Sequence, residues 1–324
     1  MSQSQFQHPQ RLSVQELLLL NILLYLSDED SFCFSKNDKN SLFYSVQNNW
    51  NLMNLKLVAT ATILEEGAVC AAFFNEQCIE SPGEGKCNLS RELIVVFRGT
   101  SKGEWLDNFL GGAATDAEDG VSTRQQIRAL KWYQTLSKED CYVTVTGHSK
   151  GGNKAKYIAV LDDSVDHCVS FNGQGFSEEF ITWYYARIGI RQQIIENHNT
   201  EYDYVNWLLH DFGSSYYYKN QMPEKGFLAG HCASAFLKWD ADGEAKMEQT
   251  GSEPPEITKA LDKTLNQMLH LLPRKQKIEL VTWIGEWVQK AMDEVHTDEG
   301  RMLKQLLIEI SHFFQSIFQR DVIY

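Results

Sequence analysis

The chain has 324 residues, enough for one α/β domain with an appendage, and its hydrophobic content of 43% can supply a sizeable core. That composition excludes global disorder. The net charge of −13 argues against nucleic acid and against an anionic membrane surface as partners, but it says little about a small-molecule substrate.

The number and spacing of the cysteines indicate the cellular compartment. There are seven of them, an odd number, and no two show C-x-x-C spacing. This pattern predicts a reducing, cytoplasmic setting in which thiols serve as small apolar residues. Cys78 and Cys87 flank a predicted hairpin loop and are the two that could pair in an oxidising setting.

The first strong pattern is the run from Leu17 to Leu26, which is leucine-rich and interrupted by Asn21. It is about half the length of a membrane span, and neither a basic segment nor a small-residue cleavage site flanks it. Ser13 and Glu16 form a capping box at its start. The run therefore predicts a buried core helix and no membrane span.

Further along the chain, short apolar runs that are typical of strands alternate with segments whose apolar residues have helical spacing. The predicted elements are a hairpin of Ala68–Phe74 with Glu92–Phe97, a helix over Ser122–Leu136, and strands at Tyr142–Thr146, Cys168–Phe171 and Ile188–Ile195. Strand–helix–strand alternation predicts an α/β fold with a mostly parallel central sheet flanked by helices. Its function should lie at the carboxyl ends of the strands.

After Gly230 the character of the sequence changes. Two short runs around an Asp-Gly pair predict a hairpin, and the acidic residues at this turn lack the remaining ligands of a calcium loop, so no metal site is predicted. A linker follows, and beyond it come three amphipathic segments, each with an apolar stripe along one helical face. The predicted division is an α/β domain over 1–250 and a C-terminal helical region over 256–324, which caps the domain or forms a homodimer interface.

The motif that organises the chain is Gly147-His148-Ser149-Lys150-Gly151, a G-x-S-x-G pattern between a predicted strand and a predicted helix. Only glycines fit beside a serine held on so sharp a turn. The turn would present Ser149 at a helix N-terminus, where a developing oxyanion is stabilised. We therefore expect Ser149 to be a nucleophile, the alternative being an inert serine in a glycine-rich turn.

A nucleophilic serine needs a base and an orienting acid, and in this fold they follow the serine in the order acid, then histidine. That order leaves His210 and His231 among the nine histidines once those in the amphipathic appendage are set aside. His231 lies among small residues and is the favoured base, whereas His210 is interpreted as part of a pocket wall. Asp203, after a predicted strand, is the favoured acid. Glu196 and Asp211 are its rivals.

The motifs VVFRGT, GEWLDNF, VTGHSKGGNKAKYIAV, VSFNGQGF and NTEYDYVNWLL occur in this order. Together they resemble the class 3 (fungal-type) lipase branch of the α/β-hydrolases, and especially a bacterial lipase-like group with GHSKGGN at the elbow. The resemblance covers residues 60–240. It implies oxyanion donors at Thr100 and at the backbone N–H of Lys150, an acid at Asp203 and a base at His231.

These observations predict a serine hydrolase that cleaves a carboxylic ester through an acyl-enzyme intermediate, without a cofactor. Thioester hydrolysis, or a non-catalytic binding or assembly role for the same fold, is the alternative. Because no hydrophobic lid stands out, we expect soluble esters of short to medium chain length to be preferred.

Overall fold

The computed structural model describes residues 11–25, 44–63, 68–80, 87–99, 120–201, 209–222, 228–240 and 244–254. It also describes residues 42, 203 and 205 and scattered positions between 256 and 283. The α-helices of these parts include α1 (Val14–Tyr25), α2 (Trp50–Met53), α3 (Arg124–Gln134), α4 (Lys150–Leu161), α5 (Glu178–Trp183) and α6 (Tyr185–Arg191). Short 3₁₀ helices cover Gln192–Ile194, Leu228–His231 and Ala233–Phe236.

The strands are β1 (Lys56–Ile63), β2 (Ala68–Glu80), β3 (Cys87–Phe97), β4 (Cys141–His148), β5 (His167–Phe171), β6 (Ile195–Thr200), β7 (Ser214–Tyr218), β8 (Leu237–Trp239), β9 (Ala245–Met247) and β10 (Gln249–Gly251). The main sheet has eight strands in the order β1-β2-β3-β4-β5-β6-β7-β10. Its five central strands, β3 to β7, are parallel. The predicted mostly parallel sheet with flanking helices is confirmed, and the fold is α/β-hydrolase-like.

Strand β3 shows how the sheet acquires two apolar faces. Leu93, Val95 and Phe97 belong to the core that lies against α3 and α4, while Ile94 and Val96 belong to the core that contains the leucines of α1. Side chains on a strand alternate between faces, so a continuous apolar run feeds both cores at once. The central strands are thus covered on both sides by helices.

Helix α1 is the buried helix that the leucine run predicted. The Glu16 carboxylate accepts from the Ser13 backbone N–H at 2.7 Å, and the Ser13 hydroxyl accepts from the Glu16 N–H at 3.3 Å, which completes the capping box. Further along, the Asn21 amide donates to the Thr146 hydroxyl of β4 at 2.9 Å. The residue that interrupts the apolar run therefore attaches the helix to the sheet. Among the described residues, no helix is long and apolar enough to cross a membrane.

Several other predicted elements are confirmed. Strands β2 and β3 pair antiparallel as one long hairpin, β8 and β9 pair as the hairpin around the Asp-Gly turn, and α3 begins at a Thr123–Gln126 capping box. One prediction is wrong: residues 188–195 are not a strand. Helix α6 and a 3₁₀ turn occupy 185–194, and β6 starts only at Ile195.

The reason for this error lies in tertiary contacts. Ile188 is buried while Ile190 is 64% exposed, so only one side of the segment packs. Arg187 and Arg191, one helical turn apart, donate to the carbonyls of Val160 and Ala159 at the end of α4, at 3.1 and 2.9 Å. These donors satisfy helix-terminal carbonyls that otherwise lack a partner.

The cysteines follow the sequence prediction only in part. Cys70, Cys141 and Cys168 are free thiols, and burial raises the pKa of Cys70 to about 12. Cys232 is disulfide-bonded. The side chains of Cys78 and Cys87, the pair considered from the sequence, lie outside the described part of the chain. The expectation that the cysteines serve simply as thiols is therefore wrong at Cys232.

The C-terminal stripes lie largely outside the described residues. The described positions between 256 and 271 are helical, and the helix ends before Pro273, as predicted. His270 contacts Glu178 of α5 at 2.9 Å, and the Lys277 ammonium lies 3.5 Å from the Glu179 carboxylate. The first part of this region thus touches the sheet domain at α5.

Candidate active site

Ser149 stands between the end of β4 and the start of α4. Its backbone has φ 60° and ψ −125°, a conformation that is costly for a residue with a Cβ atom and is most often found at functional sites. The Ser149 N–H donates to the Phe171 carbonyl of β5 at 2.9 Å. The neighbouring strand therefore holds the strained turn in place.

The two glycines of the motif are required by close packing. A Cβ atom on Gly147 would lie 2.1 Å from the carbonyl carbon of Gly151, and one on Gly151 would lie 1.9 Å from the Phe97 carbonyl oxygen. Both are backbone atoms that cannot move aside. The G-x-S-x-G spacing thus lets helix α4 start directly against β3 and β4.

His231 ends the 3₁₀ helix Leu228–His231 and points at the serine. Its Nε2 lies 2.8 Å from the Ser149 Oγ, and its Nδ1 lies 2.7 Å from the Asp203 Oδ1. The side chain of His231 is 9% exposed and that of Asp203 is 1% exposed. Because the ionised Asp203 can only accept, Nδ1 carries a proton and Nε2 is free to accept the serine proton.

Asp203 lies just beyond the end of β6, where its N–H donates to the Thr200 carbonyl at 3.3 Å. Its Oδ1 also accepts the Val205 N–H at 3.2 Å. A carboxylate held by its own turn and by a ring nitrogen has a defined orientation. The structure thus brings Ser149, His231 and Asp203 into one hydrogen-bonded row.

Two further residues hold the backbone that carries His231. The Asn172 amide donates to the His231 carbonyl at 3.2 Å, and the Thr200 hydroxyl donates to the Gly230 carbonyl at 2.6 Å. Asn172 has φ 43°, which suits asparagine, and its Oδ1 accepts the Thr200 N–H at 2.7 Å. Sequence reasoning missed both residues.

His148, next to the nucleophile, contacts the same backbone from the other side. Its Nε2 lies 2.8 Å from the His231 carbonyl, and its Nδ1 lies 2.7 Å from the Tyr25 hydroxyl at the end of α1. Complete burial, and then the nearby His231, lower the pKa of His148 to about 3. His148 is therefore neutral at physiological pH. Chain order had removed it from consideration as a base, and its supporting contacts were not predicted.

The alternative candidates for the base and for the acid contact other residues. His210 is exposed, and its backbone pairs with Phe176 as an isolated bridge. Asp211 forms an ion pair with Lys156 at 2.7 Å. Glu196 lies near His167 and His198, at 3.5 and 3.2 Å.

The two oxyanion candidates differ in what can be described. Lys150 is the first residue of α4, and it is only 1% exposed despite its charge. Thr100 lies outside the described residues. Gly99, which precedes it, approaches the elbow so closely that a Cβ atom there would lie 3.0 Å from the Ser149 Cβ. The Phe-Arg-Gly turn thus ends directly against the nucleophile.

No metal cluster accompanies this site in the described part of the chain, where no group of three or more His, Cys, Asp or Glu side chains could hold an ion. The strand order, the strained elbow and the Ser-His-Asp row define the class: a protein with an α/β-hydrolase-like fold and a hydrolase-type arrangement of polar side chains at the carboxyl ends of its strands.

Comparison with known proteins gives one family match, over part of the chain. Residues 86–197, about a third of the chain, match the model of the Mbeg1-like family, which is lipase-like. The match includes β3, β4 and Ser149 and ends before Asp203 and His231. Among solved structures, the crystal structure of M37 lipase is similar with a TM-score of 0.38 and 12% identity, covering 93% of this chain and 100% of the lipase. No curated protein matches.

Proposed function

We propose that the protein is a serine hydrolase that cleaves a carboxylic ester. The observation that carries this proposal is the row Asp203–His231–Ser149, with distances of 2.7 and 2.8 Å, on a serine held at φ 60°. A histidine placed between a buried carboxylate and a serine hydroxyl is the arrangement that activates serine as a nucleophile.

In the first half of the reaction, the Ser149 Oγ attacks the ester carbonyl carbon while its proton passes to the His231 Nε2. The C–O bond to the alcohol then breaks, and His231 returns the proton to the departing oxygen. This leaves an acyl group on Ser149. Asp203 keeps Nδ1 protonated and stabilises the imidazolium without itself taking a proton. Water, deprotonated by the same nitrogen, then releases the acid.

The tetrahedral intermediate carries a negative oxygen that needs donors. We propose that the backbone N–H of Lys150, at the N-terminus of α4, donates to it together with a group of Thr100. Two points support this assignment: α4 starts at Lys150, and the chain that leads to Thr100 ends against Ser149. The macrodipole of α4 adds favourable potential at that position.

The test is labelling with an active-site fluorophosphonate, run beside a panel of p-nitrophenyl esters from acetate to palmitate and the matching thioesters. We expect the wild type to be labelled and to hydrolyse the short and medium esters fastest, without a rate jump above the solubility limit. Ser149→Ala should show neither labelling nor turnover. Labelling of Ser149→Ala as strong as that of the wild type would favour the non-catalytic alternative, and faster thioester turnover would change the substrate class.

Three further expectations remain proposals. The division at 250–256 and a capping role for the C-terminal region are supported by the contacts of His270 and Lys277 with α5. A chain truncated after Gly251 should therefore unfold at lower temperature or aggregate, and a soluble, monomeric, fully active product would disprove the capping role. A homodimer through this region is checked by light scattering.

A cytoplasmic location is supported by three free thiols and opposed by the disulfide at Cys232.

A further inference from the structure

Two histidines with the same kind of partner lie in one row of the sheet. His148 of β4 is the register partner of Phe171 of β5, and Phe171 is the register partner of His198 of β6. Each histidine has a tyrosine hydroxyl on its Nδ1. Tyr25 lies 2.7 Å from His148, and Tyr218 lies 2.8 Å from His198. The two Tyr–His pairs can therefore be compared directly.

The direction of every hydrogen bond at His148 follows from its neighbours. The His231 carbonyl can only accept, so the His148 Nε2 must carry the proton. Since His148 is neutral, its Nδ1 is an acceptor, and the Tyr25 hydroxyl must donate to it. The Tyr25 oxygen in turn accepts the Gly99 N–H at 3.0 Å. One chain of three hydrogen bonds thus runs from Gly99 through Tyr25 and His148 to the backbone of His231.

This chain joins the two backbone segments on which the proposed chemistry depends. Gly99 directly precedes Thr100, and His231 carries the proposed base. The fit at Tyr25 is close, because a Cβ atom on Gly99 would lie 2.1 Å from the tyrosine oxygen. The Tyr25 hydroxyl therefore sets how near the Phe-Arg-Gly turn comes to the elbow.

We propose that Tyr25 is a positioning residue for the hydrolysis: its hydroxyl holds the loop that leads to Thr100 and, through His148, the loop of His231 in register with Ser149. This inference rests on the proposed function. Tyr25 touches no reacting atom and acts through its neighbours. A misplacement of the base or of an oxyanion donor by a fraction of an ångström reduces turnover while leaving ground-state binding nearly intact.

The second pair supplies the control. His198 donates from its Nε2 to Glu196, at 3.2 Å, instead of to a loop of the site. Tyr25→Phe and Tyr218→Phe each remove one hydroxyl that donates to a buried histidine of the same row. Both variants should lose stability, but only the first should affect the alignment of the site.

The experiment measures kcat, KM and the rate constant of fluorophosphonate labelling for both variants. For Tyr25→Phe we expect kcat and the labelling rate constant to fall about 10- to 100-fold while KM stays within about 3-fold. For Tyr218→Phe we expect both rates within about 3-fold of the wild type. Equal rates for the two variants would overturn the proposal.

Two further comparisons separate positioning from packing. His148→Gln keeps a donor near the Nε2 position, whereas His148→Phe keeps only the bulk, so the glutamine variant should be the more active. Asn21→Leu removes the α1 contact one turn before Tyr25 and should reduce the melting temperature without reducing kcat. If Asn21→Leu reduced kcat as far as Tyr25→Phe, the effect would belong to docking of α1, and the proposal would be wrong.

A spectroscopic signature checks the hydrogen bonds without any substrate. In the wild type, the ¹⁵N shifts of the His148 ring should show a neutral ring with the proton on Nε2 across neutral pH, and Tyr25→Phe should shift the Nδ1 resonance. If these signals appear but the wild type neither labels nor hydrolyses, the proposed function fails and the positioning role of Tyr25 in hydrolysis fails with it. If the wild type labels and the Nδ1 signal is unmoved in Tyr25→Phe, only the positioning role fails.

Discussion

Two of the histidine–carboxylate pairs near the sheet, His231–Asp203 and His198–Glu196, differ in what surrounds them. In the first, the carboxylate is 1% exposed and the second ring nitrogen faces a serine at 2.8 Å. In the second, the carboxylate is 33% exposed, and the second ring nitrogen faces the hydroxyl of Tyr218. Both histidines have a partner on each nitrogen, so a complete set of hydrogen bonds does not distinguish them.

The difference lies in the third residue. Ser149 is held in a strained turn at a helix N-terminus, where its hydroxyl can attack and an oxyanion can be stabilised. Tyr218 is the last residue of the regular strand β7, and burial raises the pKa of its hydroxyl to about 12, so it remains a donor. The proposed reactivity of Ser149 therefore depends on the backbone that presents the hydroxyl group more than on the histidine–carboxylate pair itself.

Substitution of the two histidines should produce the largest contrast. We expect His231→Ala to reduce kcat about as far as Ser149→Ala, on the order of 10⁴-fold or more, because members of a catalytic unit do not contribute additively. His198→Gln should leave kcat within about 3-fold of the wild type. Ester turnover and fluorophosphonate labelling measure both. A wild-type rate in His231→Ala would reopen the choice of base.

The carboxylates should show the same contrast at a smaller scale. Asp203→Asn is expected to reduce kcat roughly 10²- to 10⁴-fold, because the amide disturbs the tautomer of His231. Glu196→Gln, an equally conservative change, should leave kcat unchanged and reduce the free energy of unfolding by about 1 kcal/mol, since its carboxylate is partly solvated. Reduced activity in Glu196→Gln with normal Asp203→Asn would exchange their roles.

The His198–Glu196 pair should make the free energy of unfolding depend on pH in the acid range. Hydrogen bonds from His167, and then from His198, hold the pKa of Glu196 below its ordinary value of 4.5. The unfolded chain then binds the proton more readily than the folded one, so this contribution is present above pH 4.5 and is lost as the pH falls below it. Urea unfolding at pH 6, 5, 4 and 3 should show a shallower loss in Glu196→Gln. Parallel curves for the two proteins would contradict this.

The smallest effect is expected at His210, the remaining candidate for the base. Its side chain is exposed, and the bridge to Phe176 uses only its backbone. His210→Ala should therefore change kcat by less than about 2-fold, as is usual for an exposed position away from a site. The same ester assay checks it. A large loss there, beside normal activity in His231→Ala, would transfer the base to His210.

Much of the fold was predictable because it is encoded locally. The leucine run with its capping box became α1, and the alternating residues before Ser149 became β4. Segment 188–195 was wrongly predicted as a strand because its apolar pattern is too short to distinguish a strand from a helix. What decides its conformation is the bonding of Arg187 and Arg191 to the end of α4, contacts between segments about thirty residues apart.

The sequence by itself determined the elbow, since steric crowding at Gly147 and Gly151 leaves few residue types possible there, and it reduced the candidate bases to two. Only the tertiary structure decided the rest. It brought His231 to Ser149 across 82 positions of chain and Asp203 to His231 across 28, and it connected Tyr25 to His148 across 123. Local patterns reflect backbone sterics within a few residues. The meeting of loops depends on strand order and register, which no single segment encodes.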